Sequence, residues 1–182
     1  MIRAIGLVEF SSIARGIEVA DQMLKAANVE LLISTATCPG KYITLVHGEV
    51  AAVEDSVNTA IRLGGEFLLD DLIIPNVDEQ IFPAITGVTC VDTIQAVGVI
   101  ESFSIASLII AADACVKAAS VDLLEIRIGS GIGGKSYVTM TGDVSDVKVS
   151  VKAGVEIIKD TGNIVCHTVI PSPHPEFKKT LL

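Results

Sequence analysis

Residues 96–124 read AVGVIESFSIASLIIAADACVKAASVDLL, and residues 4–32 read AIGLVEFSSIARGIEVADQMLKAANVELL. Laid over one another at an offset of 92, the two stretches are identical at 15 of 29 positions. Such self-similarity means that the chain is one unit written twice. The register moves by two in the following loop, so that Gly40-Lys41 answers Gly134-Lys135 and Gly48-Glu49-Val50 answers Gly142-Asp143-Val144. Two more residues bring Ile73-Ile74-Pro75 over Val169-Ile170-Pro171. The boundary between copies falls near Gly87–Thr93, giving expected domains at 1–90 and 91–182.

Each copy carries the same local signals. Ala4–Phe10 is a short apolar run with the character of a buried strand. Ser12–Ala27 reads as a helix that Ser11 or Ser12 can cap, with Ile13, Ile17, Ala20, Leu24 and Ala27 expected on its core face. Strands at Val29–Ala36 and Tyr42–His47 follow, joined by a Pro-Gly turn. A helix over Val50–Leu63 ends at Gly64-Gly65, a strand over Glu66–Ile74 stops at Pro75, and a short terminal helix closes the copy. The order βαββαβ predicts an α/β (α+β) fold: two tandem domains, each an antiparallel four-stranded sheet with helices on one face.

The chain of 182 residues carries 13 Lys+Arg against 22 Asp+Glu, a net charge of −9. Half of it is hydrophobic, with 4% aromatics and no Trp. This excludes disorder and argues against nucleic-acid binding, for which no basic patch is present. No run reaches the length of a membrane span, and the N-terminal MIRAIGLVEF lacks a signal-peptide pattern, so a cytoplasmic protein is expected. Two similar halves also present quasi-equivalent surfaces. Three such chains can therefore close a ring that imitates a sixfold one, and any loop near its axis then recurs three times.

Gly129-Ser130-Gly131-Ile132-Gly133-Gly134-Lys135-Ser136 satisfies the phosphate-loop pattern GxxxxGK[ST]. The chemistry of that motif needs a helix N-terminus after the lysine, whereas Tyr137-Val138-Thr139-Met140-Thr141 is β-rich and the matching loop Thr37-Cys38-Pro39-Gly40-Lys41 lacks the pattern. A tight inter-strand loop of small residues, placed to line a pore, fits better than a P-loop nucleotide enzyme. Of the four cysteines, Cys90, Cys115 and Cys166 read as small buried hydrophobes. Cys38 stands apart in its turn. Three Cys38 thiolates around a threefold axis could hold a metal or an iron–sulfur cluster, or equally remain three free thiols facing a pore. His47, His167 and His174 are scattered without a nucleophile partner, so no catalytic constellation emerges and a non-enzyme is expected. Lys25 and Lys117 repeat near helix ends, where the dipole favours them.

Together, Ala96-Val97-Gly98-Val99-Ile100-Glu101, Ala112-Asp113, Val116-Lys117-Ala118-Ala119, Gly142-Asp143-Val144 and Val169-Ile170-Pro171-Ser172-Pro173-His174 resemble the bacterial microcompartment (BMC) shell-protein domain, and the first half matches the same series more loosely. Two such domains in unpermuted order resemble the tandem-domain shell proteins. Within that family, Thr37-Cys38-Pro39-Gly40-Lys41 with Gly131-Ile132-Gly133-Gly134-Lys135 looks like the T-type members of propanediol-utilisation shells. The resemblance implies a homotrimer shaped as a pseudohexagon, tiling with other shell proteins in the microcompartment shell of the bacterial cytoplasm. It implies one [4Fe–4S] cluster per trimer, bound by Cys38 of each chain, for electron transfer or cluster delivery, with an encapsulated redox enzyme as a further partner. The metal-free alternative is a tile whose threefold pore passes a small metabolite. In either case the expected pore lining is Thr37, Cys38, Pro39, Gly40, Gly129, Ser130, Gly131, Ile132, Gly133 and Gly134. The expected inter-oligomer edge is Lys25, Lys117, Asn76, Ser172 and His174. The family's edge arginine is absent from both halves, and the halves differ in charge: 5 basic and 12 acidic residues over 1–90 against 8 and 10 over 91–182. Mixed sheets with other tiles are expected rather than pure self-assembly.

Overall fold

The computed structural model describes residues 4–129 and 131–181. The first unit comprises β1 (Ala4–Phe10), α1 (Ile13–Ala26), β2 (Glu30–Thr37), β3 (Lys41–Gly48), α2 (Val50–Gly64) and β4 (Leu68–Pro75), the last preceded by a 3-10 turn at Gly65–Phe67. Its sheet is antiparallel throughout, in the order β2-β3-β1-β4. After α3 (Ile81–Thr86), the second unit repeats the series as β5 (Ala96–Ser102), α4 (Ile105–Ala118), β6 (Val121–Ile128), β7 (Ser136–Gly142), α5 (Val144–Ile158) and β8 (Ile164–Ile170), ending in α6 (Pro175–Lys178). Its sheet runs β6-β7-β5-β8.

The duplication extends to irregularities. Ala4 pairs with Gly48, as Ala96 pairs with Gly142. The edge pairing shifts between Leu31 and Ile33 in one copy and between Leu123 and Glu125 in the other. Ser12 caps α1 by accepting from the Arg15 N–H at 3.3 Å, and Ser104 caps α4 through the Ser107 N–H at 3.0 Å. Buried hydroxyls tie the helix pairs together: Ser56 donates to the Met23 carbonyl and Ser150 to that of Cys115. Gly6 and Gly98 let the second helix of each unit lie directly on the central strand. A Cβ at Gly6 would come within 2.6 Å of Val57, and one at Gly98 within 2.8 Å of Val147 and Val151.

In the first unit Ala4, Val8 and Phe10 of the sheet meet Val19, Met23, Val53, Val57 and Ala60 of the two helices. The helix face is therefore not the expected one. Gly16, Val19, Ala20 and Met23 are buried, while Ile13, Ile17 and Leu24 are exposed. α1 carries two apolar stripes, and the sheet takes the one containing Gly16, where a Cβ would strike Tyr42 at 2.6 Å. The cysteine expectation also needs correction. Cys115 is buried, but Cys90 and Cys166 are exposed, one on the connection between copies and one on edge strand β8.

The compact units divide between Val77 and Asp78. Residues 78–90, assigned to the first domain by sequence, belong by contact to the second unit, because β4 is complete at Pro75 and the chain beyond Val77 finds its partners on α4 and β6. The Asp78 N–H donates to Asp113 at 2.9 Å. The Gln80 amide donates to the Val121 carbonyl at 3.1 Å and accepts from the Leu123 N–H at 2.9 Å. Thr89 donates to the Leu124 carbonyl at 2.7 Å, and Ile81, Ala84 and Ile85 of α3 are buried. Among the described residues no helix is long and apolar enough to cross a membrane.

Candidate functional site: hairpin loops and edge lysines

The expected pore residues fall on the β2–β3 and β6–β7 connections, the same place in each unit. In the first, the Gly40 N–H closes a turn onto the Thr37 carbonyl at 2.9 Å, across a cis Cys38–Pro39 bond. Cys38 is half-buried and free of any disulfide, while Pro39 and Gly40 are exposed. Thr37 is buried, and among the described residues its hydroxyl has no hydrogen-bond partner. The second loop bends through Gly129, Gly131, Gly133 and Gly134, all at positive φ, where side chains are disfavoured. Gly131 and Gly133 are exposed, Ile132 is half-buried and Gly134 is buried; Ser130 lies outside the described residues.

Both loops rest on the same anchor. Lys41, the first residue of β3, forms an ion pair with Glu9 of central strand β1. Lys135 pairs with the equivalent Glu101 of β5 at 2.7 Å. Glu9 is almost wholly buried, an environment a carboxylate tolerates only with a charged partner. The P-loop pattern is thereby accounted for. Its lysine is committed to a sheet carboxylate, and Ser136 opens a strand rather than a helix.

At the expected edge, the two lysines differ in their support. Lys25 reaches Asp21 at 2.5 Å, with both side chains more than half exposed. Lys117 reaches Asp113 at 2.6 Å, but Asp113 is buried and also accepts from Asp78. Asn76 is exposed in a left-handed conformation (φ 54°). Ser172 and His174 are exposed, and the His174 Nδ1 accepts from the Glu176 N–H at 3.2 Å, capping α6.

Among the described residues no three His, Cys, Asp or Glu side chains gather as a metal-binding group. Burial pushes the Cys115 thiol up to about 12, partly offset by a backbone hydrogen bond from Gly154, which disfavours the thiolate that ligation and nucleophilic attack require. Sequence reasoning missed one cluster. Tyr137 donates to Glu125 at 2.8 Å, and Arg127 pairs with the same carboxylate at 2.7 Å. They line a cleft of about 640 Å³ with Thr89, Asp92 and Leu181. Burial, then the bond to Glu125, pushes the Tyr137 phenol upward. Glu125 and Arg127 sit two apart on a strand, hence on one face, and that spacing was the available signal.

The comparisons with known proteins agree with this architecture. The BMC domain matches twice, over residues 4–77 and 96–173. The bacterial microcompartment shell protein PduT of Citrobacter freundii is 45% identical over 174 residues, covering 96% of this chain and 95% of that protein. The carboxysome shell protein CcmK2 of Synechococcus elongatus is 40% identical over 89 residues, covering 47% of this chain and 84% of that protein. A crystal structure of a microcompartment protein from Desulfitobacterium hafniense superposes with a TM-score of 0.93 at 55% identity, covering 98% of this chain and 99% of that one. With two copies of that domain, each folded as βαββαβ, the chain belongs to the BMC family as a tandem-domain microcompartment shell protein.

Proposed function

We propose that three chains close into a pseudohexagonal tile that packs beside other shell proteins, and that Cys38 of each chain binds one [4Fe–4S] cluster on the threefold axis. The observation that carries the ring is the unequal fate of one helix face. In α4, Ile105 and Ile109 are fully buried; at the matching positions of α1, Ile13 is 40% exposed and Ile17 is 54% exposed. A surface that is covered in one copy and open in the other is completed by a further copy of the chain. Covering these residues favours association by roughly 25 cal/mol per Å² of apolar surface. The similarity to PduT supports the same reading.

The donor set fits the cluster. Each chain offers one free, half-buried thiol at the tip of a hairpin whose base the Lys41–Glu9 pair fixes. Thiolate is the ligand such centres require, and three leave one iron open to a non-protein ligand. The unpartnered Thr37 hydroxyl beside it is available to donate toward sulfur and hold charge at the axis. When bound, the cluster supplies one-electron chemistry, used for electron transfer across the shell or for delivery of the cluster itself. The chain's own part is to hold one thiol on a turn closed by the Gly40 N–H bond to the Thr37 carbonyl.

The test is iron and acid-labile sulfide per trimer in protein purified without oxygen, beside Cys38→Ser. About four irons per trimer, with visible absorption lost in the variant while the trimer persists, is the expected result. A colourless, iron-free trimer after anaerobic reconstitution rejects the cluster and leaves a tile whose threefold pore is lined by Cys38 and the exposed Gly40, Gly131 and Gly133.

A further inference from the structure

The segment after β4 holds the strand at the edge of the second sheet, and the corresponding segment after β8 opens with the same turn but leaves its first apolar residue exposed. Residues 78–86 correspond to 174–182 at an offset of 96, placing Asp78 with His174, Gln80 with Glu176 and Ile81 with Phe177. The opening turn is built alike in both: the Gln80 N–H donates to Asp78 Oδ1 at 3.0 Å, and the Glu176 N–H to His174 Nδ1 at 3.2 Å. In the first segment Ile81 is fully buried and the Gln80 amide spans backbone groups of Val121 and Leu123. In the second Phe177 is 44% exposed, while Leu181, the match of Ile85, packs against Ile94, Val97 and Leu124 of its own unit.

The receptors show the complementary difference. On β6, Leu123 and Leu124 are buried. On β2 the equivalent Leu31 is 46% exposed and Leu32 is half-buried. On α4, Asp113 accepts from the Asp78 N–H; its equivalent on α1, Asp21, is exposed and bonds only within its own helix, to Gln22 and Lys25. One clasp is thus filled within the chain. A second receptor and residues 174–178 of a second clasp, matched to the first pair, are both open.

We infer that residues 174–178 of one chain clasp β2 and α1 of a second copy, with Phe177 seated at Leu31 and the His174 backbone N–H directed to Asp21. This rests on the proposed ring and assigns the segment that latches it. The occupant is a copy of this chain, because no unrelated partner would reproduce the spacing already used between residues 78–86 and β6–α4. One bond is lost in the exchange: Glu176, standing where Gln80 does, accepts from the Leu31 N–H but has no proton for the Val29 carbonyl. The intermolecular latch is consequently the weaker one.

The test is native mass spectrometry of the full chain with peptide-resolved hydrogen exchange, comparing wild type, Phe177→Asp and Leu31→Asp. The wild type should assemble with β2 protected to the level of β6. Each variant should remain folded, weaken self-association by about thirtyfold or more, and expose β2 to exchange. An assembled wild type whose β2 exchanges freely, or a Phe177→Asp protein that associates normally, overturns the clasp and leaves the ring standing. A wild type that stays monomeric at all concentrations overturns both.

Discussion

α1 and α4 descend from one helix, share a serine cap and an Asp–Lys pair one turn apart, and yet meet different surroundings. α4 is buried nearly all round, through Ile105, Leu108, Ile109, Ala112 and Cys115. α1 is buried on one stripe and open on the other. Their compositions differ accordingly: α4 holds Leu108 and Ile110 where α1 has Gly16 and Glu18. Within a duplicated chain, then, divergence between matched positions marks the copy whose helix face is covered and the copy whose helix face is left open.

The strongest way to break this comparison is to place a charge on the shared face. Ile109→Asp buries an unpaired carboxylate and should destabilise the second unit by about 4 kcal/mol or more, whereas Ile17→Asp should leave the melting temperature nearly unchanged and abolish association. Thermal unfolding beside native mass spectrometry reads both. Equal melting shifts in the two variants would remove the basis of the comparison.

A smaller contrast separates the two aspartates. Asp113→Ala leaves the Asp78 N–H unpaired and frees Lys117, at a cost of about 2 kcal/mol. Asp21→Ala removes only exposed partners and should change stability by about 0.5 kcal/mol or less. Denaturant midpoints on the two proteins check this.

The mildest contrast sets Cys115 against Met23, its match on α1. The buried thiol keeps its proton to about pH 12, while the unfolded chain releases it near 9.0. The folded state therefore binds the extra proton above pH 9. Its contribution to stability is complete below that pH and falls as pH rises, by about 1 kcal/mol at pH 10. Cys115→Met should flatten the alkaline limb of a stability–pH profile by that amount. Thiol-reactive reagents should label Cys90 and Cys166 in the folded protein and reach Cys115 only on unfolding.

Much of this was legible in the sequence. The offset of 92 located both sheets and the bounds of β1 and β5, and the α1 cap was narrowed to Ser11 or Ser12, of which the structure uses Ser12, because strands buried on both faces and capped helices leave local signatures. The burial of α1 was not, since Ile13, Ile17 and Leu24 satisfy the helical period as well as Gly16, Val19 and Met23 do. Tyr42, Val53 and Val57, all far along the chain, decide between the stripes. Residues 78–90 lie before the second repeat in sequence and pack with it in space, and no periodicity reports which strand a connection will hold. At the candidate site, the position of Cys38 on an exposed turn could be read directly from Cys-Pro-Gly. The Glu9–Lys41 anchor could not, because its members lie 32 residues apart and meet only through β1–β3 pairing.

That anchor has a consequence for how the protein can change. Since Lys41 and Lys135 pin the base of each hairpin to the central strand, the residues between are relieved of any duty to the fold. The two copies illustrate the freedom: one carries a cysteine and a proline, the other four glycines, upon the same footing. The chain thus separates framework from loop. A lineage, or an engineer, can rewrite either hairpin loop without renegotiating the sheet that supports it.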